Sequence, residues 1–112
     1  MNVGRINQYR FLWVLVFFDL PTETRKQRKI AADFRKYLIK DGFQMFQFSV
    51  YSRFCSSAEN ADVHTLRVKS RLPEDGKVAI FRITDKQFGM VKLYHGRNRK
   101  DPPSTSRQLE FF

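Results

Sequence analysis

An unbroken apolar run at residues 11–18 (FLWVLVFF) constrains the fold of this chain more than any other stretch. A run this rich in β-branched and aromatic side chains fits a central strand covered on both faces better than an alternating edge strand. The run ends at Asp19, and Leu20-Pro21-Thr22 follows with the pattern of a helix start. Because the end of such a strand is exposed while its body is buried, Asp19 can meet solvent, a metal ion or a phosphate. The other interpretation is a plain turn residue, since aspartate is common wherever a chain bends.

The charge of the chain is strongly unbalanced. Its 112 residues include 21 Lys and Arg against 11 Asp and Glu, which gives a formal net charge of +10. The length predicts one domain, and a folded domain with this excess usually binds a polyanion, most often nucleic acid. A cationic surface that only keeps the protein in solution is the alternative.

The cysteine and histidine content excludes several kinds of chemistry. Cys55 has no second cysteine with which to form an intrachain disulfide, so we expect a buried thiol in a reducing, cytoplasmic compartment. His64 and His95 are too few and too isolated for a zinc site. The longest apolar run is far below the about 20 residues that a membrane-spanning helix needs, so no membrane partner is expected.

The stretch after Asp19 predicts a helix and then a strand with a polar side. Thr22 is the predicted N-cap of a helix that runs to about Lys40 and stops at Gly42 in the left-handed conformation. Residues 43–54 then alternate with a period of two, with Phe48 on one side and Tyr51 on the other, and with a break near Gln47.

The second half of the chain predicts one more helix and several strands. We expect a helix over residues 59–71 with Val63 and Leu66 facing inward, and a turn at 73–76. Strands are predicted at 77–84 and 90–94, with a turn between them.

The last residues differ in composition from the rest. Residues 96–106 are polar, basic and proline-bearing and predict a mobile loop, whereas residues 107–112 regain a strand pattern. We therefore divide the chain into a domain at 1–95 and a basic loop with a C-terminal strand at 96–112. That strand is able to pair with its own sheet or with the sheet edge of a dimer partner.

The element order predicts an α+β fold of the ferredoxin-like type, βαββαβ. Such a fold has an antiparallel sheet with both helices on one face, here with an extra C-terminal strand. The strands carry phenylalanine on more than one side, so we expect the second face to be buried in a homodimer.

The first predicted helix separates a core face from a cationic stripe. A projection at 100° per residue places the core side chains together, namely Ile30, Ala31, Phe34, Tyr37 and Leu38. On the opposite side, Arg25, Lys29, Lys36 and Lys40 fall within about 60° of one another. Like charges at i,i+4 mildly oppose a helix, so binding of an anionic partner explains this stripe as well as plain solvation does.

The predicted nucleic-acid contacts are Arg25, Arg28, Lys29, Lys36 and Lys40, helped by Arg97, Arg99 and Lys100 from the basic loop. They predict phosphate binding without sequence preference.

Two other functions are compatible with a basic ferredoxin-like domain. Residues 40–46 (KDGFQMF) faintly resemble the basic-Gly-aromatic signature of RNA-recognition motifs, which bind single-stranded RNA. The signature belongs on a third strand, however, and this stretch follows the first helix and lacks the second glycine or alanine. A stand-alone metal-dependent or toxin-like ribonuclease is the other alternative, and the toxin-like form would need its own catalytic residue.

Three motifs, in order, resemble one known family. They are residues 17–24 (FFDLPTET), residues 47–51 (QFSVY) after Gly42-Phe43, and residues 84–88 (TDKQF). Together they resemble the CRISPR-associated protein two family, the non-integrase member of the spacer-acquisition pair. They are most similar to members from type II systems, and the match covers nearly the whole chain.

The resemblance implies a prokaryotic cytoplasmic homodimer that bridges two dimers of the CRISPR integrase and lays a prespacer DNA duplex across its basic surface. It also implies a metal-dependent endonuclease acting on RNA or DNA, with the catalytic and metal-binding aspartate at the end of the first strand, here Asp19. A single carboxylate is a poor Mg²⁺ site, but two symmetry-related Asp19 side chains across a dimer would share Mg²⁺ or another divalent cation.

Overall fold

The strand order β2–β3–β1–β4 defines the main sheet of the computed structural model, which describes residues 11–100. The elements are β1 (Leu12–Asp19), α1 (Arg25–Lys40), β2 (Gln44–Gln47), β3 (Val50–Cys55), α2 (Ala58–Lys69), β4 (Lys77–Thr84), α3 (Asp85–Gly89), β5 (Leu93–His95) and β6 (Asn98–Lys100). The central strand β1 is antiparallel to both β3 and β4, and β3 is antiparallel to β2. This topology confirms the predicted α+β, ferredoxin-like fold.

Strand β1 is covered on both faces over most of its length. Its side chains Val14, Val16 and Phe18 belong to the core that includes Phe34 of α1 and Val68 of α2. The alternate residues, Trp13 and Leu15, are buried on the other face against Phe88 of α3. The short helix α3 therefore explains why the apolar run does not alternate with polar residues.

The second face of the sheet is left open near the end of β1. There Phe17 and Phe81 are 38% and 47% exposed, and their rings stack at 4.7 Å between centroids. Exposed Ala79 lies opposite Phe17 in the register of β1 and β4. We call Phe17, Ala79 and Phe81 the open-face patch.

Helix α1 begins at a different residue from the one predicted. Its N-cap is Thr24, whose side chain accepts a hydrogen bond from the backbone N–H of Gln27 at 3.0 Å. The Gln27 side chain in turn accepts from the Thr24 backbone N–H, which completes a capping box. The prediction of Thr22 was wrong because Thr22 has Arg25 three residues later, and arginine cannot accept that hydrogen bond.

The end of α1 at Gly42 is confirmed. Gly42 has φ +92°, its N–H donates to the carbonyl of Ile39, and the N–H of Phe43 donates to that of Leu38. This pair of hydrogen bonds is a Schellman motif. On the core face Ala31, Phe34 and Leu38 are buried as predicted, whereas Ile30 is 41% exposed.

The predicted core face of α2 was wrong. Val63 and Leu66 are 44% and 62% exposed, and the buried residues of this helix are Ala61, His64 and Val68. A histidine can occupy a core position here because its Nδ1 lies 2.8 Å from Oδ2 of Asp41 and so has a hydrogen-bond partner.

The predicted strand at 43–54 is two strands joined by a tight turn. The predicted break near Gln47 is confirmed, and the register of β2 against β3 shifts between Met45 and Gln47. Phe46 and Val50 lie on one face of the sheet and Tyr51 on the other, as predicted, whereas Phe48 lies in the turn and is 68% exposed.

The chain after β4 differs from the prediction in two places. Residues 85–89 form helix α3 instead of a turn, because Thr84 and Gln87 form a second capping box. The predicted strand at 90–94 is reduced to β5, which pairs with β6 across a turn at Gly96. Residues 98–100 are thus a strand where a mobile loop was predicted.

The remaining predictions for this end of the chain fall on residues 101–112, which lie outside the described range. They are the rest of the loop and the strand at 107–112, and the division of the chain at residue 95 stays a prediction. In the range 11–100, no helix is long and apolar enough to cross a membrane.

Candidate nucleic-acid interface and the Asp19 site

Asp19 is the last residue of β1, and its side chain is exposed. Side chains alternate along a strand, so Asp19 projects from the same face as Phe17, opposite the face that α1 and α2 cover. In the β1–β4 register its direct neighbour is Lys77. Asp19, Lys77 and Ser49 contribute the polar groups of a shallow, largely apolar depression that Phe17 and Ala79 also line.

The backbone around Asp19 is held from both sides. On one side the N–H of Phe18 donates to the carbonyl of Ser49 at 3.0 Å. On the other side Gly76, with φ +91°, lies so close that a Cβ on it would be 2.7 Å from the carbonyl oxygen of Asp19. The backbone position of Asp19 is therefore fixed by the residues that precede β3 and β4.

The residues that the structure describes do not form a metal site within one protomer. Among residues 11–100, no three His, Cys, Asp or Glu side chains come together in a group that could hold a metal ion. Mg²⁺ takes six oxygen ligands in near-octahedral geometry, several of them water, and is usually held by one or two carboxylates together with substrate phosphates. Asp19 supplies one carboxylate, and the described residues that line the depression include no second one.

The predicted cations of α1 are all exposed. Two of them have protein partners: Nη1 of Arg28 donates to the carbonyls of Thr22 and Glu23, each at 3.1 Å, and Lys29 pairs with Asp33 at 3.2 Å. Arg28 thus also ties down the loop before the helix. The other three, Arg25, Lys36 and Lys40, form no ion pair with any carboxylate in the described part of the chain.

The structure does not bring all the predicted site residues together. The α1 cations lie on the helical side of the sheet, whereas Asp19 projects from the opposite face, next to Lys77. Arg97 is exposed in the turn between β5 and β6. Arg99 and Lys100 belong to β6, and their side chains are outside what the structure describes.

Two cations that were not among the predicted contacts stand beside α1. Arg67 of α2 and Arg71 just after it line a surface groove together with Lys36, Tyr37 and Lys40; Asp33 and Asp41 complete the lining. We call this feature the α1–α2 groove. The sequence shows that α2 is basic, but which of its cations face α1 depends on how the two helices pack.

Cys55 and His64 have structural roles. Cys55 is fully buried, and burial raises the pKa of its thiol above the ordinary value. His64 is 4% exposed and bound to Asp41, whose other oxygen accepts from Arg67 at 2.9 Å. Both residues belong to the packing of the core and not to the exposed surfaces described above.

Comparison with known proteins identifies the family. A model of the family described as CRISPR associated protein Cas2 matches residues 12–91, which span β1 to the segment after α3. The chain belongs to the Cas2 family. Similar proteins, each named CRISPR-associated endoribonuclease Cas2, come from Flavobacterium psychrophilum, Parvibaculum lavamentivorans and Paracidovorax avenae.

These Cas2 relatives match over nearly their whole length. The Flavobacterium protein is 62% identical over 108 residues, covering 96% of this chain and 94% of the relative. The Parvibaculum protein is 50% identical, with 90% and 100% covered, and the Paracidovorax protein is 45% identical, with 93% and 96% covered. The resemblance carried by the three sequence motifs is therefore confirmed.

Proposed function

We propose that this chain is a Cas2 subunit of CRISPR spacer acquisition, a homodimer that bridges integrase dimers and binds prespacer duplex DNA. The observation that carries the proposal is the row of exposed cations on α1, of which Arg25, Lys36 and Lys40 have no carboxylate partner within residues 11–100. In a chain of net charge +10 from this family, such a row fits a phosphate backbone. Binding then depends on charge and spacing and not on the base sequence.

The homodimer is supported by the open-face patch. Phe17 and Phe81 stack on each other and still expose a large apolar area, which a second copy of the same face would cover. Asp19 projects from this face at its end. A two-fold axis close to Asp19 would place the two Asp19 side chains near each other.

The proposed endonuclease activity uses Asp19 from both protomers. Two carboxylates across the axis would together hold Mg²⁺ or another divalent cation, for which residues 11–100 of one protomer supply no metal-binding group. When bound, such an ion supplies charge stabilisation to a phosphodiester and lowers the pKa of its bound water. Lys77, beside Asp19, is placed to attract the phosphate of the substrate.

A second candidate function is that of an endoribonuclease acting without the integrase. It is favoured by the names of the relatives, each called a CRISPR-associated endoribonuclease. This candidate shares the Asp19 site with the first but predicts cleavage of single-stranded RNA by the purified homodimer.

An integration assay tests the first function and separates it from the second. A labelled short duplex, a CRISPR-repeat target, the cognate integrase and Mg²⁺ are combined with no added chain, with the wild type or with Asp19→Ala. We expect the wild type to restore integration. If Asp19→Ala restores it equally, the scaffold role is independent of the nuclease site. If the wild type adds nothing to the integrase alone, the spacer-acquisition role is wrong.

The salt dependence of duplex binding tests the basic surface separately. If about six phosphates are neutralised, affinity should fall roughly a thousandfold between 50 and 200 mM salt. Fluorescence anisotropy of a labelled duplex measures this, with a duplex of unrelated sequence as the control. A nearly flat salt response would contradict phosphate binding, and a strong sequence preference would contradict binding by charge alone.

A further inference from the structure

The α1–α2 groove is formed by side chains from two helices, near the C-terminal end of each. Lys36 and Lys40 line it from α1, and Arg67 and Arg71 line it from α2 and the residues that follow. The hydroxyl of Tyr37 donates to the carbonyl of Arg67 at 3.1 Å. This hydrogen bond ties α1 to the end of α2, so the cations on the two sides are held at a fixed spacing.

Both arginines of the groove are held in place by other groups. Nη1 of Arg67 donates to Asp41, whose side chain is 8% exposed, while the Arg67 side chain is 56% exposed. The guanidinium of Arg71 lies over the ring of Tyr37, 4.8 Å from its centroid. Side chains that are ordered before a ligand arrives lose less conformational freedom on binding it.

The groove has an excess of unpaired positive charge. Its two carboxylates are already engaged, since Asp33 pairs with Lys29 and both oxygens of Asp41 are bound, one to His64 and one to Arg67. In the described residues, Lys36, Lys40 and Arg71 have no carboxylate partner. Such a surface points to an anionic ligand.

Helix dipoles explain only part of this charge. Cations in the last turn of a helix stabilise its C-terminal end, which accounts for Lys40 and Arg67. Lys36 precedes the last turn of α1, and Arg71 lies beyond the end of α2. These two residues are therefore the groove cations that the helix dipoles do not account for.

We propose that the α1–α2 groove binds the phosphodiester backbone of the same duplex that the cations at the start of α1 bind, with Arg67 and Arg71 as direct phosphate contacts. The ligand in this proposal rests on the proposed function. Arg25 and Lys40 are separated by roughly 22 Å along the helix axis, because each helical residue rises about 1.5 Å. A duplex lying along α1 passes that distance in about six to seven base pairs and so reaches the groove.

A matched pair of double variants tests the groove. Lys36→Ala/Arg71→Ala removes two groove cations, and Lys69→Ala/Lys86→Ala removes the same charge from exposed positions that do not line the groove. Binding of the full-length homodimer to a labelled duplex is measured over a range of salt concentrations. We expect the groove variant to bind at least tenfold more weakly and to lower the salt slope by about two, because each lost phosphate contact removes about 0.9. The control should change affinity by about twofold at most.

A third variant separates failure of the groove from failure of the proposed function. If the cations of α1 bind the duplex, Arg25→Ala should weaken binding. If it weakens binding while the groove variant behaves like the control, the groove proposal is overturned and the proposed function stands. If neither variant has an effect, both are overturned. Thermal unfolding is followed for every variant, and if the double variant melts early, Arg71→Ala against Lys69→Ala carries the comparison, with an expected change in salt slope of about one.

Discussion

At the scale of single residues, the close approach of Gly76 to β1 shows how the Asp19 site is fixed. The turn before β4 requires φ +91° at residue 76, and the nearest heavy atom to an added Cβ would be the Asp19 carbonyl oxygen at 2.7 Å. A backbone atom cannot move aside as the end of a flexible side chain can. The sequence indicates the turn from Pro73 to Gly76, but the contact with Asp19 exists only in the fold.

Gly76→Ala should destabilise the protein by about 2–3 kcal/mol, through left-handed backbone strain together with the clash against Asp19. Gly96→Ala is the matched control, because Gly96 also has positive φ but a Cβ there meets no atom within 4 Å. Urea unfolding measures both. If the free energy of unfolding falls equally in the two variants, the close approach of Gly76 to Asp19 does not contribute to the loss.

Cys55 should react slowly in the folded protein. Burial raises the pKa of its thiol, so less of the reactive thiolate is present at any pH below that raised value. We expect alkylation at pH about 8 to be at least tenfold slower than in the denatured chain. The raised folded pKa favours the folded state below the ordinary thiol pKa, and that stabilisation is lost as the pH rises above it. Equal alkylation rates in the folded and denatured chains would contradict the burial of this side chain.

At the scale of elements, the starts of α1 and α3 were readable from the sequence, although the prediction missed both signals. Thr24 and Gln27 form a capping pair at the start of α1, and Thr84 and Gln87 repeat it at α3. The core face of α2 was not readable in this way. His64 is buried because Asp41, on another element, accepts its hydrogen bond, and no local pattern contains that partner.

The N-cap of α1 gives a direct test at this scale. Thr24→Ala should lower the free energy of unfolding by about 1 kcal/mol, because the backbone N–H of Gln27 loses its acceptor. Thr22→Ala, at the residue predicted from the sequence, should change it by less than about 0.5 kcal/mol. Chemical denaturation of the two variants side by side measures the difference, and a larger effect at Thr22 would move the helix start back to the predicted position.

At the scale of the whole molecule, the order of the elements was enough to predict the fold, but not the arrangement of the site. Alternating helix and strand patterns in this order lead to the sheet order that the structure has. That Asp19 and the α1 cations occupy opposite sides of the sheet follows from the packing of helices on one face. Arg67 and Arg71 lie beside the cations of α1 for the same reason, because α2 packs on the same face of the sheet as α1.

The proposed dimer can be tested on the open-face patch. Phe81→Asp places a charge where two copies of the patch would meet, so the dimer should dissociate and activity that depends on paired Asp19 residues should be lost. Phe48→Asp is the control, since Phe48 is the more exposed side chain, at 68%, and contacts Arg35 on the helical side. Sedimentation velocity gives the masses in solution. If both variants dissociate the dimer, or Phe48→Asp alone does, the dimer interface does not lie at the open-face patch.

The pairing of β1 with β4 has a consequence for how the protein is made. Leu12 pairs with Thr84 and Asp19 with Lys77, so the partners lie more than half the chain length apart. During synthesis β1, α1, β2 and β3 leave the ribosome before β4 does, and until then one edge of β1 has no strand to pair with. Contacts this distant in sequence form slowly, and an unpaired apolar edge attracts strands of other chains. β1, the central strand of the folded sheet, is thus the segment of the nascent chain with the greatest risk of misassembly.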